Sequence, residues 1–396
     1  MKAQSRRSIN TAVSTPQYAP DRFVNREGEK NLVMGKVEDL IAGRPVEKRA
    51  ITFTGGRGTG KTWLLAHLKT LLSELTDVIV LHLNLKDYGG KDPSSAVAQI
   101  IREVNRATGG SDEALGVELA EMSRRLMARL KKDVLSTKVL VLLLDHAHES
   151  DWELLSVLED YLLGPLITMP RVLIVMTGRG WLYPWKTPEL RLKGEFVDLK
   201  TFCKEDTEAQ VERQVPKPRT TSEKVHQLSD GNPLANYLIA YYGVPEGLNE
   251  VIEGLLEPVS PEHRRKVRDY LEALCVLRAF DEERIPTMLA VYYGDDSYRD
   301  WTFAQARKVR QELTRWAFAR WDAERGGYVL DETTRKLVEE YLKTSNEKKW
   351  RALQQAASEL YRKWAEDFPR TKGRWQEEAR YHISFLKRAS PATTSA

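Results

Sequence analysis

The stretch Gly55-Gly56-Arg57-Gly58-Thr59-Gly60-Lys61-Thr62 carries the residue types needed to hold a chain of phosphates. Glycines let backbone N–H groups turn inward with no Cβ in the way. A helix starting near Gly60 would add the positive end of its dipole. Lys61 would reach the β- and γ-phosphates, and the Thr62 hydroxyl would ligate Mg²⁺. The spacing fits the P-loop pattern, and so does the context: a β-branched run, AITFT, stops at Gly55, and apolar residues recur at helical spacing from Lys61, with Trp63 in the first turn. The alternative is a chance match in a glycine-rich turn. The ligands expected are ATP or ADP with Mg²⁺.

Such a loop needs an acid for the metal. Asp145 ends the apolar run 139–144, where that acid belongs; an ordinary strand-terminating Asp is the bland alternative. The next residue is His146, where many ATPases place a carboxylate that activates water. His148, Glu149 and Asp151 lie close by. Glu149 is the best remaining base and His146 could orient water, unless both merely cap the next helix. The missing acid at 146 predicts slow hydrolysis. A further apolar run leads into Thr177-Gly178-Arg179. An Arg at the tip of a core strand can reach a γ-phosphate from the neighbouring strand, or lie in solvent.

The elements that must position these residues alternate. Helical patterns are expected over 27–41, 61–72, 94–107, 112–132 and 153–163. Strand patterns are expected over 50–54, 78–83, 139–144, 171–176 and, at an edge, 195–199. This alternation argues for an α/β P-loop fold with a parallel sheet and helices on both faces. Beyond 200 the pattern turns to short helices over 205–213, 222–228, 234–242 and 248–256. Residues 259–340 combine helices, one of them expected over 303–321, with a β-ribbon around Arg325-Gly326-Gly327-Tyr328, which suggests a winged helix. Residues 345–387 read as two helices joined near 369–373.

The 396 residues are 41% hydrophobic and 30% charged, and the net charge of +4 is compatible with nucleic-acid contact without demanding it. No apolar run reaches the ~18 residues that a membrane helix needs, so no membrane partner is expected. The N-terminal 20 residues lack the apolar stretch of a secretory signal. Cys203 and Cys275 have no metal-site spacing and read as two reduced thiols of a cytoplasmic protein.

The ordered set of motifs resembles a family. Phe23-Val24-Asn25-Arg26-Glu27-x-Glu29 resembles the box that precedes the P-loop in STAND NTPases and related AAA+ proteins. Gly231-Asn232-Pro233-Leu234 resembles the GxP motif of their helical lid. The resemblance covers about residues 21–340. It implies that the Val24 backbone and the Arg26 neighbourhood contact adenine, that Pro233 packs on adenine, and that Arg179 senses the γ-phosphate. After a mildly basic N-terminal stretch over 1–20 whose composition reads as a disordered tail, it also implies a domain order: the nucleotide-binding domain over 21–200, a helical lid over 201–257 and a winged-helix domain over 258–340. A helical hairpin over 341–388 and a second disordered tail over 389–396 complete the chain.

STAND proteins are typically switches, closed with ADP and open and oligomeric with ATP, coupling a sensor to an effector in defence, cell-death or transcriptional signalling. The expected partners are therefore further copies of this chain and separate sensor and effector proteins, because the short N-terminal segment cannot fold an effector. The sequence departs from the family at Leu330-Asp331-Glu332, where many relatives place a histidine that contacts the ADP β-phosphate. A second reading stays open: a DNA-handling AAA+ ATPase of the origin-recognition or transposition-helper kind. Arg307, Lys308, Arg310, Arg315 and Arg320 along the expected helix 303–321 would then contact phosphates; a solvated or intersubunit face is the bland alternative. Trp301, Trp316, Trp321, Trp350, Trp364 and Trp375 crowd the C-terminal third, as helical core or as a partner-binding surface.

Overall fold

The computed structural model describes residues 16–179 and 182–388. The tail expected at 389–396 and most of that expected at 1–20 lie outside them. The described chain forms two compact units, Gln17–Thr201 and Phe202 onward.

The first unit contains, in chain order, α1 (Glu27–Ile41), β1 (Ala50–Thr54), α2 (Lys61–Ser73), β2 (Val78–Asn84), α3 (Pro93–Ala107), α4 (Leu119–Arg129) and β3 (Val139–Asp145). It continues with α5 (Trp152–Leu158), α6 (Gly164–Thr168), β4 (Val172–Thr177), α7 (Pro188–Leu192) and β5 (Gly194–Asp198). The five strands are all parallel, in the order β2-β3-β4-β1-β5. β3 is buried along its whole length because both faces are covered: Leu140, Leu142 and Leu144 enter one core, and Val139, Val141 and Leu143 the other. β4 lies between β3 and β1, so the carboxyl ends of these three strands sit side by side, where open α/β sheets bind ligands.

Two expectations need correcting here. The single helix expected over 112–132 is divided: a short turn at Asp112–Ala114 is followed by Gly116 at φ +86°, then by α4 and a π-helical turn, Leu130–Val134. The left-handed backbone at Gly116 cannot continue a right-handed helix. Tyr18, expected in a disordered tail, lies on α2. Its hydroxyl is 3.0 Å from His67 Nδ1 and 3.2 Å from Thr70 Oγ1, and its ring meets Trp63 edge-on.

The second unit begins with α8 (Lys204–Gln214), α9 (Ser222–Ser229), α10 (Pro233–Tyr242) and α11 (Glu246–Leu256). α12 (Pro261–Leu274), α13 (Arg284–Tyr293) and α14 (Phe303–Arg315) follow, then an antiparallel ribbon of β6 (Ala319–Asp322) and β7 (Gly327–Leu330). α15 (Glu332–Ser345) leads to a hairpin of α16 (Glu347–Asp367) and α17 (Lys372–Arg388). The helix expected over 303–321 stops at Arg315. Trp316 caps it, Ala317 takes φ +56°, and Phe318 N donates to Leu313 O. Ala319 and Arg320 then belong to the ribbon, and Arg320 leaves the helical face. Trp350 is fully buried, and Trp301, Trp316, Trp364 and Trp375 pack against the same core, while Trp321 is exposed. Cys203 and Cys275 are both unpaired thiols. No helix among the described residues is long and apolar enough to cross a membrane.

Candidate functional site

The loop between β1 and α2 is built on backbone that only glycine adopts easily. Gly55, Gly58 and Gly60 have φ of +148°, +80° and +89°. A Cβ on Gly55 would come within 2.9 Å of Thr59 Oγ1 and 3.2 Å of Leu199 O, so this residue also closes the loop against the chain leaving β5. Thr59 Oγ1 donates to Gly56 O at 2.9 Å. Lys61 Nζ curls over the loop and donates to Gly55 O at 2.8 Å and Gly56 O at 2.9 Å. Arg57 is partly exposed on the rim, and Thr62 is exposed at the first turn of α2.

Asp145 closes the opposite wall at the end of β3. It is 2% exposed. Thr177 Oγ1, at the end of the adjacent β4, donates to Asp145 Oδ1 at 2.5 Å. The backbone N–H of His146 donates to the same oxygen at 3.0 Å, and His146 Nδ1 lies 3.3 Å from Asp145 Oδ2. Burial alone would raise this carboxyl. Hydrogen bonds from His146, Thr177 and Thr62, together with the charge of His146, outweigh that and hold it well below the usual carboxylate range. Asp145 is thus a fixed anion, and Thr62 is within its reach. A hydroxyl and a carboxylate facing each other beside a loop of inward N–H groups and a lysine form the donor set for Mg²⁺ bound to a phosphate chain. No group of three His, Cys, Asp or Glu that could hold a metal occurs among the described residues; an ion held by Thr62 and Asp145 would take its remaining ligands from phosphate oxygens and water.

Arg179 lies two residues beyond β4, the strand between the one that leads into the loop and the one that ends at Asp145. Its Nε is 3.0 Å from Glu149 Oε2, and Lys86 Nζ is 4.0 Å from the same oxygen. The residue expected to sense phosphate and the residue expected to activate water are therefore partners of each other. His146 takes φ +57° and starts the turn Ala147–Glu149 that presents Glu149 to Arg179. His148 points the other way. Its buried imidazole is pushed down to about 4 by burial, and its Nδ1 accepts from Tyr183 N at 2.9 Å. A Cβ on Gly178 would meet His148 Cβ at 2.6 Å, which accounts for glycine in Thr-Gly-Arg. Asp151 caps α5 through Glu153 N.

The N-terminal box supports the loop. Arg26, in left-handed backbone at φ +68°, caps α1 and is 6% exposed. Its Nη2 donates to Thr59 O at 2.9 Å and Lys200 O at 2.7 Å, and its Nη1 to Glu29 at 3.3 Å. Val24 is buried, Phe23 stacks on His67 at 4.0 Å, and Trp63 is partly buried. Lys86 and the Tyr18–His67 contact escaped the sequence reading. Lys86 lies two residues beyond the end of β2, near the strand ends that carry Asp145 and Thr177, and that position was the available signal.

Pro233 belongs to the second unit, as the first residue of α10, and is buried there. Its carbonyl accepts from Gln210 Nε2 at 2.8 Å, and Asn232 caps the helix through Ala235 N. Gly231 has φ +72°, and its carbonyl accepts from Phe202 N at 2.8 Å. Asp331 caps α15 through Thr334 N at 2.9 Å.

Residues 44–178 match a family model described as an AAA domain. Solved structures similar to this chain include the Aeropyrum pernix ORC1 protein in complex with DNA, at 17% identity and a TM-score of 0.41 over 84% of this chain and 95% of that one. The Aeropyrum pernix ORC2 protein in ADPNP–ADP complexes matches at 13% and 0.47 over 83% and 96%. A Pyrococcus horikoshii STAND protein with a tetratricopeptide repeat sensor matches at 17% and 0.40 over 96% of this chain and 58% of that one. No curated protein matches. The five-stranded parallel sheet and its loop fit an α/β P-loop fold, and the AAA-domain match falls within this first unit.

Proposed function

We propose that the chain is a nucleotide-operated switch of the STAND kind, in which ATP and ADP set its opening, its self-association and its binding of a separate sensor or effector. The observation that carries this reading is the Arg179–Glu149 ion pair beside Asp145. In that pair the guanidinium is held by a carboxylate. The γ-phosphate of ATP is a stronger anion for a guanidinium, and ADP has none to offer. ATP therefore competes for Arg179, and Glu149 is released toward the water that would attack. Arg179 and Lys61 would hold phosphate oxygens, Thr62 and Asp145 would hold Mg²⁺, and Glu149 would take the proton of the water. Mg²⁺ would supply charge neutralisation on the transferred group. Because the base is free only after this exchange, turnover is slow.

A swing of such a switch from 1:99 to 99:1 takes about 5.5 kcal/mol of preference for one state. Arg179→Ala is expected to lower the preference for a non-hydrolysable ATP analogue over ADP by about tenfold, and Glu149→Gln to raise it while reducing turnover; isothermal titration and single-turnover assays read both. Mass photometry of the wild type and Lys61→Ala with each nucleotide tests the switch itself. One unchanged mass in every state, with and without candidate partners, would count against it.

One observation favours a DNA-handling AAA+ ATPase as a second reading. Three helices precede the ribbon as in a winged helix, and α14 exposes Arg307, Lys308 and Arg315 along one face. Arg310 does not belong to that face: it donates to Glu282 at 2.6 Å and to the Tyr328 hydroxyl at 3.1 Å. Salt-dependent duplex binding that disappears in Arg307→Glu plus Lys308→Glu would favour this reading.

A further inference from the structure

In the second unit a cavity of about 270 Å³ opens where the ribbon turn meets the start of α13 and the hairpin α16–α17. Four arginines line it, Arg278, Arg284, Arg325 and Arg374, against the two carboxylates of Glu324 and Glu378. Two of the cations are neutralised by acids. Arg278 pairs with Glu378 at 2.8 Å and Glu377 at 3.4 Å, and Arg284 pairs with Asp281. The other two are not. Arg325 Nη1 donates to Arg278 O at 2.9 Å and Arg374 Nη2 donates to Arg325 O. Among the described residues neither has a carboxylate partner. Backbone carbonyls, and for Arg374 also the Trp375 ring at 4.8 Å, thus orient both guanidiniums and leave most of their five N–H groups without an acid to bind.

The floor has the same character. Arg284 is 3% exposed, its guanidinium carbon lies 4.6 Å from the Trp364 ring, 5.4 Å from Trp375 and 5.6 Å from Tyr361, and its Nε has no partner. A buried donor left without an acceptor is costly unless something supplies one. Two oriented cations at the mouth and an unpaired donor in the floor are what a tetrahedral oxyanion satisfies.

We propose that this cavity is a phosphate-binding site, distinct from the Lys61 loop, formed by Arg325 and Arg374 with Arg284 behind them. Its volume lies below the ~300–1,000 Å³ of pockets that enclose drug-sized ligands. It admits a phosphate group with a small appendage, or one phosphate of a larger molecule that stays outside. The source is either a small phosphomonoester or the backbone of a nucleic acid.

The test is calorimetric titration of inorganic phosphate into the full chain with the Lys61 loop saturated by ADP and Mg²⁺. Binding in the range of about 1 mM or tighter is expected. It should weaken by about tenfold in Arg325→Gln and again in Arg325→Gln/Arg374→Gln, and persist in Lys61→Ala. Both arginines are exposed, so the variants should fold. Glu324→Gln removes the acid at the mouth and should tighten binding, by about threefold at low salt. No binding by the wild type, binding that survives the double variant, or binding lost in Lys61→Ala would each overturn the proposal. A short single-stranded oligonucleotide forms the second arm. If its binding falls with that of phosphate in the double variant, the source is a nucleic acid; if phosphate alone responds, it is a small molecule.

Discussion

Asp145→Asn is expected to lower single-turnover ATP hydrolysis by about 10²–10³-fold. Three donors converge on this carboxylate: the Thr177 hydroxyl, the His146 N–H and the Thr62 hydroxyl. An amide of the same shape removes the charge that would hold the metal. It also brings two N–H donors into a space already crowded with donors, so the new side chain must turn one of them toward Thr177 or His146. His146→Ala is the informative control. Alanine keeps the backbone N–H that bonds Asp145 and removes only the imidazole 3.3 Å from its other oxygen, so turnover should fall less than tenfold. Equal losses in the two variants would mean that the imidazole, not the carboxylate, dominates the chemistry.

Gly231→Ala is expected to destabilise the second unit by about 2–5 kcal/mol, as two penalties add. An alanine at φ +72° costs about 1–2 kcal/mol. Its Cβ would also stand 2.0 Å from the Phe202 carbonyl oxygen, a contact that only a backbone shift relieves, at about 1–3 kcal/mol more. That shift would strain the Phe202 N–H bond to Gly231 O and the knot behind it, in which Asn236 bonds Gln210 at 2.9 Å and accepts from Ser229 at 2.5 Å. Urea unfolding followed by tryptophan fluorescence suits the measurement, since six of the ten tryptophans lie in this unit. Gly254→Ala is the matched control. It sits within α11 with nothing near its Cβ position, and should stabilise by up to about 1 kcal/mol. A loss at Gly231 no larger than about 1 kcal/mol would show that the turn yields easily.

What could be read from the sequence was what depends on neighbouring residues. The loop at 55–62 announces itself because each glycine answers a local need of the backbone. Asp145 was legible because an apolar run can end on a buried charge only at a site that uses it. The strand order was not legible. β4 enters between β1 and β3, and nothing local encodes that choice. The Arg179–Glu149 pair was hidden for the same reason: the two residues were each read for a role toward nucleotide, and their meeting follows from β3 and β4 being adjacent. The end of α14 was misread because buried Phe318 and Ala319 continue an apolar pattern past Arg315, although they occupy a turn and a strand. Ala317, at φ +56°, carries no side chain that would signal the break.

The two bonds of Arg26 Nη2 join places far apart in the chain, the crest of the phosphate loop at Thr59 and the strand exit at Lys200. One planar guanidinium cannot lengthen, so it acts as a tie rod. When the loop settles around a ligand and the Thr59 carbonyl moves, either the rod slips or Lys200 follows. Lys200 is one residue from the last of the α/β unit, so the displacement is delivered to the connector without crossing the sheet. Hydrogen exchange at the amides of 199–202 should register loop loading before any change in mass is visible, and Arg26→Lys, which keeps the charge but not the fork, should disconnect the two.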